Sequence, residues 1–339
     1  MFSFQNDYSE GAHPRILEAL GKTNLEQTPG YGNDPYTQRA AALIRMQLGN
    51  DEAQVHFLMG GTQTNLVALS AFLRPHEAAV SADTGHINVH ETGAVEATGH
   101  KVLTVPCPDG KLAPERIRPT LQSHTGEHMV RPRLIYISNS SETGTCYCKA
   151  ELAALHGFCR ENGLLLYMDG ARLGSALCCS GLSLSDICAL TDAFYIGGTK
   201  NGALFGEALV IADPALAADV RFIIKQRGGM LAKGRMLGLQ YIELFRDGLY
   251  FELAAHANRM ADRLRAGIRQ AGYPFWSDSP SSQLFPIFPD ALVSRLSESF
   301  LFETWLRPDH THTCVRLVTS WATSRPAVDA FISALGAPV

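Results

Sequence analysis

The chain has 339 residues, with 46% apolar and 18% charged side chains, a net charge of −4 and a pI near 6.3. It is long and apolar enough to bury a large domain and a smaller one, which excludes a disordered chain. With no broad basic field and no run of about 18 apolar residues, neither nucleic acid nor a membrane is an expected partner.

The stretch Met1–Asp7 lacks the basic and apolar regions of a signal peptide. Eight cysteines, with no Cys-x-x-Cys pair and with Cys178 beside Cys179, do not suit a disulfide framework in a chain this long. Both features point to a reduced, cytoplasmic protein.

Pro14 opens a predicted helix to Leu20, and residues 24–33, rich in Gly, Asn and Thr, form a long loop of the kind that is often functional. Asp34 caps a helix with Pro35 at its first position, running to about Leu48 before Gly49. Val55–Met59 is a strand feeding Gly60-Gly61-Thr62-Gln63-Thr64-Asn65, and an apolar helix is expected from about Asn65 to Leu73. Strand, glycines and helix N-terminus make an anion site from free N–H groups and the helix dipole; the alternative is a plain strand-to-helix turn. The spacing is not Gly-x-Gly-x-x-Gly, so a dinucleotide fingerprint is missing.

Glu77–Ala82 is the next strand. His86–Thr92 reads as a helix with His86 and His90 on one face. No third ligand stands at a metal spacing, so His86, near a strand's end, is better placed for a ligand ring than for a metal. Lys101–Pro106 and Arg133–Ser138 read as strands around a helix from Pro114 to Leu121. The polar loop Asn139–Thr145 precedes an amphipathic helix, Ala150–Asn162, ended by Gly163. Leu164–Met168 is a continuous apolar run, as in a buried parallel strand, and ends on Asp169 of Asp169-Gly170-Ala171-Arg172. That acid is either a helix cap or a ligand contact. Ala193–Ile196 is a further buried strand, broken by two glycines and followed by Thr199-Lys200. Ligands in open α/β sheets lie beyond the carboxyl ends of the strands, where Lys200 stands. Asn201 after the lysine rules out a P-loop. The alternation through about residue 212 gives an α/β fold with a mostly parallel sheet.

Glu207–Ala212 is another strand, Arg221–Arg246 is helical but broken at Arg227-Gly228-Gly229, and Phe251–Gly272 is an amphipathic helix. Short elements from Tyr273 onward predict a smaller α+β domain. His310, His312, Cys314 and Arg316 alternate at period two and share a face if they lie on a strand. A metal site there lacks a partner segment, and Arg316 reads instead as an anion contact.

The glycine turn near Gly61, His86, Asp169, Arg172 and Lys200 together supply what pyridoxal phosphate requires: a Schiff-base lysine, an acid for the pyridinium nitrogen and a helix N-terminus for the phosphate. In order and spacing, Gly60–Asn65, His86–Gly93, Asp169–Arg172, Thr199-Lys200 and Tyr31-Gly32-Asn33-Asp34-Pro35 resemble the threonine aldolase and β-eliminating lyase branch of fold-type I pyridoxal phosphate enzymes. The resemblance runs from Asn6 to about Thr323. It implies a large α/β domain with a mostly parallel seven-stranded sheet and a small C-terminal α+β domain. The expected division is an N-terminal segment 1–24, a cofactor domain 25–246 and a small domain 247–339.

The resemblance further implies that Lys200 carries the cofactor and is catalytic, that Gly61 and Thr62 bind the phosphate, and that Thr199 also touches the cofactor. His86 would stack on the ring and take part in proton transfer, Asp169 would pair the pyridine nitrogen, and Arg172 and Arg316 would bind the substrate carboxylate. Asn6 stands where the family often has serine before the aspartate, and would add a polar contact. Gly228-Gly229-Met230 resembles a Gly-Gly-Gly-Met loop that lies near a neighbouring subunit's cofactor, so a homodimer or homotetramer with shared sites is implied. No metal is expected.

The implied reaction is retro-aldol cleavage of L-threonine or a related β-hydroxy-α-amino acid to glycine and an aldehyde. Ser138-Asn139-Ser140-Ser141 stands where many members carry Glu-Asn-Thr-His. A second histidine is therefore missing near Ser141, which leaves the general base unassigned and admits a bulkier substrate such as phenylserine. Two alternatives are β-elimination or transamination with the same cofactor, and a binding protein without turnover. The presence of Lys200, Asp169, Arg172 and Arg316 together disfavours the last.

Overall fold

Strand β1 (Phe2–Ser3) precedes seven strands that make the main sheet: β2 (Gln54–Leu58), β3 (Glu77–Ala82), β4 (Val102–Val105), β5 (Arg131–Ser138), β6 (Leu165–Asp169), β7 (Ala193–Gly197) and β8 (Glu207–Ile211). They come from a computed structural model that describes residues 1–336; positions 337–339 of the expected small domain lie outside the described residues. The order across the sheet is β2-β8-β7-β6-β5-β3-β4. β8 is antiparallel to both its neighbours, and the remaining pairs are parallel. Six strands therefore end at one edge. The reversed β8 begins there, in register with Leu58 and Gly197 through its first residue, Glu207.

Both sheet faces are covered, so these strands are apolar without alternation. The pleat still sorts them. Ile135, Leu166, Met168 and Phe194 pack toward one layer of helices. Tyr136, Tyr167 and Tyr195 stand on the other face, against the helix Gly61–Phe72. Burial of each such side chain contributes about 1.5–3 kcal/mol. The cap expected at Asp34 is present: its carboxylate accepts from Thr37 N at 2.8 Å, and the helix Pro35–Leu48 stops at Gly49 in the left-handed region.

The remaining strands, β9 (Gln283–Leu284), β10 (Ile287–Pro289), β11 (Phe300–Leu301), β12 (Glu303–Leu306) and β13 (His312–Val318), belong with the helices Leu249–Gln270, Asp290–Ser297 and Arg325–Leu335 to a smaller α+β layer. β13 pairs with β9, β10 and β12. The N-terminal segment is built into this layer: β1 pairs with β11, and Phe4 is buried among Phe288, Leu317 and Phe331.

Three expected elements are corrected. The first-turn helix begins at Gly61, not Asn65, because Gly60 already serves as its N-cap. The expected helix His86–Thr92 stops at Val89, since Thr92 and Gly93 have positive φ. His310 lies outside β13, His312 pairs with Asp309, and Cys314 is buried, so the four alternating residues do not present one open face. All eight cysteines are free thiols, and no helix of the described residues is long and apolar enough to cross a membrane.

Candidate active site

A cavity of about 490 Å³ opens where the six strands end and is closed on one side by the small domain. Its floor is Asp169, last residue of β6 and 3% exposed. The strand register puts Tyr136 opposite Tyr167, on the face Asp169 shares, and Tyr195 reaches the same acid from β7. One carboxylate oxygen accepts from Tyr136 OH at 2.6 Å and Asn65 Nδ2 at 2.9 Å, the other from Tyr195 OH at 2.5 Å and Ala171 N at 3.0 Å. Burial pushes this carboxyl up, but the His86 charge and the tyrosine and asparagine donors outweigh it and hold it below the usual aspartate value.

Asp169 can turn back sharply because Gly170 follows it and the neighbouring β7 ends in Gly197. A Cβ on Gly170 would come within 1.8 Å of Tyr195 O, and Gly197 N donates to Gly170 O at 3.0 Å. This close approach brings the Arg172 turn and the Lys200 loop together.

His86 opens a short helix after β3. Its Nδ1 lies 2.7 Å from Glu91 Oε1, and Asn65 Nδ2 donates to that oxygen as well as to Asp169. Burial opposes charge on the imidazole, but the Glu91 hydrogen bond and the Asp169 and Glu91 carboxylates raise its pKa above the ordinary histidine value. Atoms of His86, Glu91 and Asp169 lie within 4.8 Å of one another, and hydrogen bonds through Asn65 and the imidazole account for that clustering.

Lys200 sits in the hairpin between β7 and β8. Glu207 fixes that hairpin: it accepts from Gly198 N and Thr199 Oγ1, both at 2.8 Å, while Gly206 N donates to Thr199 Oγ1 at 3.0 Å. Burial raises the Glu207 carboxyl to about 7. Burial, and then the Arg172 charge, lower the Lys200 amine, which has no ion pair among the described residues and rests 6.0 Å from the Tyr8 ring centroid.

Two arginines complete the wall. Arg172 is held at both ends of its fork by buried Asp7, at 2.6 and 3.0 Å. Arg316 reaches in from β13, paired with Glu303 at 2.7 Å and 5.8 Å from the Trp305 ring centroid; its Nε is buried without a partner. At the mouth of β2, Gly60 gives the helix Gly61–Phe72 no side-chain cap, so the first-turn N–H groups stay open toward Gly61 and Thr62.

Gly61, Thr62, His86, Asp169, Arg172, Thr199, Lys200 and Arg316 thus line one cavity. Asn6 does not: its Oδ1 accepts from Tyr8 N and Ser9 Oγ, and the following residues, Asp7 and Tyr8, point toward the site. Gly229 and Met230 meet Tyr31 and Gly32 around a second, smaller cavity of about 60 Å³. Tyr136, Tyr195, Glu91 and Glu207 escaped the sequence reading.

The donor set fits pyridoxal phosphate. An amine without an ion pair can meet its aldehyde, an uncapped helix N-terminus its phosphate, and a carboxylate held ionised its ring nitrogen. Asp169 already accepts four hydrogen bonds, about as many as its lone pairs allow, so a ring N–H shares it with a phenol hydroxyl free to rotate.

Comparison with known proteins agrees. The family model described as "Beta-eliminating lyase" matches residues 8–285. A low specificity L-threonine aldolase of a Pseudomonas species is 33% identical over 88% of this chain and 85% of its own length. One from Pseudomonas aeruginosa is 32% identical over 94% and 93%. A solved threonine aldolase of Leishmania major superposes with a TM-score of 0.97 at 48% identity, covering 99% of this chain and 98% of that one.

Proposed function

The chain belongs to the β-eliminating lyase family, and we propose that it is a pyridoxal-phosphate-dependent aldolase cleaving L-threonine and related β-hydroxy-α-amino acids to glycine and an aldehyde. One observation carries this: three basic side chains, Lys200, Arg172 and Arg316, face one cavity beside an uncapped helix N-terminus, and the lysine has no ion pair among the described residues.

When bound, the cofactor supplies an electron sink for the pair released as the Cα–Cβ bond breaks. The chain does the rest. Burial lowers the pKa of Lys200, so its Nζ gives up a proton more readily than an exposed lysine does. Asp169, its pKa held below the usual aspartate value, would keep a proton on the cofactor's ring nitrogen, and His86 would lie against the ring. Gly61 and Thr62 offer backbone N–H groups to the phosphate, and Thr199 sets the lysine loop through Glu207. Arg316, reaching the cavity from β13, and Arg172 hold the substrate carboxylate, and that grip fixes which bond at Cα is aligned to break. Residues 25–246 then carry the cofactor, and 247–339 bring Arg316.

We further infer a homodimer or homotetramer with shared sites in the cytoplasm. The Tyr31 and Met230 loops border a cavity separate from the main one, beside exposed Tyr31, and the eight thiols are free. A fully active monomer in light scattering would count against sharing. The reaction is tested by offering L-threonine, L-allo-threonine and L-phenylserine to the cofactor-loaded protein. Glycine and aldehyde are expected; ammonia and a keto acid in their place would reject the aldolase.

A further inference from the structure

We propose that His90 is the catalytic base that takes the proton from the substrate's β-hydroxyl, an inference that rests on the aldolase reading above.

Retro-aldol cleavage needs an acceptor for that proton, and most basic groups around the cavity are already committed. His86 Nδ1 is bound to Glu91, and the surrounding carboxylates favour its charged form, which cannot accept. Glu142 Oε1 takes His86 N at 3.0 Å and Ser138 Oγ at 2.8 Å, and burial raises its pKa toward the protonated form. Both oxygens of Glu207 hold the lysine loop. Glu303 is paired with Arg316.

His90 differs from all of these. It lines the same cavity, its ring centroid is 5.5 Å from that of His86, and neither ring nitrogen has a hydrogen-bond partner among the described residues. Early termination of the helix at Val89 puts it there: the chain turns at His90, whose N–H still closes the helix on His86 O. Four charged groups bear on it. Burial and then the positive charges of His86, Arg316 and Lys200 lower its pKa, with Glu303 opposing, so the imidazole is neutral near pH 7 and able to accept. His90 also stands one wall away from Arg316. A substrate whose carboxylate is held by the arginines has its β-substituent free to extend toward this histidine.

The step balances as follows. The O–H bond of the β-hydroxyl breaks and its proton passes to a His90 ring nitrogen. The O–H electron pair becomes the second bond of the aldehyde carbonyl. The Cα–Cβ bond breaks with its pair remaining on Cα, which then takes up one proton to give glycine.

The test uses the cofactor-loaded protein, wild type and His90→Asn, with two readouts. Exchange of the glycine α-proton in D2O, followed by NMR, needs the cofactor, Lys200 and the arginines but no β-hydroxyl. Cleavage of L-threonine needs everything. In the variant, exchange is expected within about twofold of wild type, while kcat/KM for cleavage falls by about 10²–10⁴-fold. Its acid limb, below the ordinary histidine pKa, should disappear, and added imidazole should restore part of the rate. Cleavage within about threefold of wild type, a loss confined to KM, or a parallel loss of glycine exchange each overturns the proposal. A wild-type protein that exchanges no glycine proton overturns the aldolase reading and this inference with it.

Discussion

Asp169, at the floor of the cavity, accepts two hydrogen bonds on each oxygen; on the side facing the small domain, Arg316 keeps Nε buried without a partner among the described residues, and the ring nitrogens of exposed His90 have none there either. A buried polar group without a partner costs about 1–3 kcal/mol. The floor avoids that penalty by being complete before any ligand arrives, which fixes the carboxylate's position and charge. The small-domain side is left incomplete, and a substrate carboxylate and hydroxyl relieve it on binding. Preorganisation and recognition are thereby placed on different elements, one on the ends of β6 and β7, the other on β13 of the small domain and the end of the four-residue helix His86–Val89.

Four substitutions test this division. Lys200→Ala should have the largest effect, a fall in kcat/KM on the order of 10⁴-fold or more with loss of the bound chromophore and little change in thermal midpoint; full activity would remove the basis of the whole reading. Asp169→Asn replaces an acceptor of four hydrogen bonds with an amide. It should lower kcat/KM by about 10²–10³-fold and stability by about 2–3 kcal/mol in urea titration. Because the folded pKa of Asp169 is depressed, its stabilisation is present above the usual value of 3.8 and is lost as pH falls through the folded value; the variant should lose that acid-side dependence. Arg316→Gln should raise KM and lower kcat/KM by about 10–150-fold with stability nearly unchanged; a stability loss as large as that at Asp169 would erase the distinction between the two regions. Glu207→Gln should change kcat/KM least, within about tenfold. Its folded pKa of about 7 is raised, so its contribution is greatest below the usual value of 4.5 and is lost as pH rises toward about 7. The variant's stability should be flatter across that window.

What could be read from the sequence follows the same line. Asp169 and Lys200 follow apolar runs beside glycines, a local pattern, and both line the cavity. Glu77–Ala82 was bounded correctly for the same reason. The tyrosines around Asp169 were missed because their target depends on which strands become neighbours, a property of the whole sheet. Asn65 and Glu91 were missed as partners because they sit 26 residues apart and meet only through a shared hydrogen bond. Asn6 was off by one position: the side chain that reaches the arginine is that of Asp7. The place of His90 turned on a helix end, set by Thr92 and Gly93, that the expected heptapeptide helix overran.

The reversed strand β8 also imposes a schedule on synthesis. β2, which delivers the uncapped helix start at Gly61, has no other partner in the sheet, and about 150 residues separate the two strands along the chain. At roughly 5–20 residues per second on the ribosome, the first-made half of the phosphate cradle waits roughly 8–30 s for the strand that holds it. A nascent chain arrested before Glu207 should therefore take up no cofactor, even though His86, Asp169 and Lys200 have already been made.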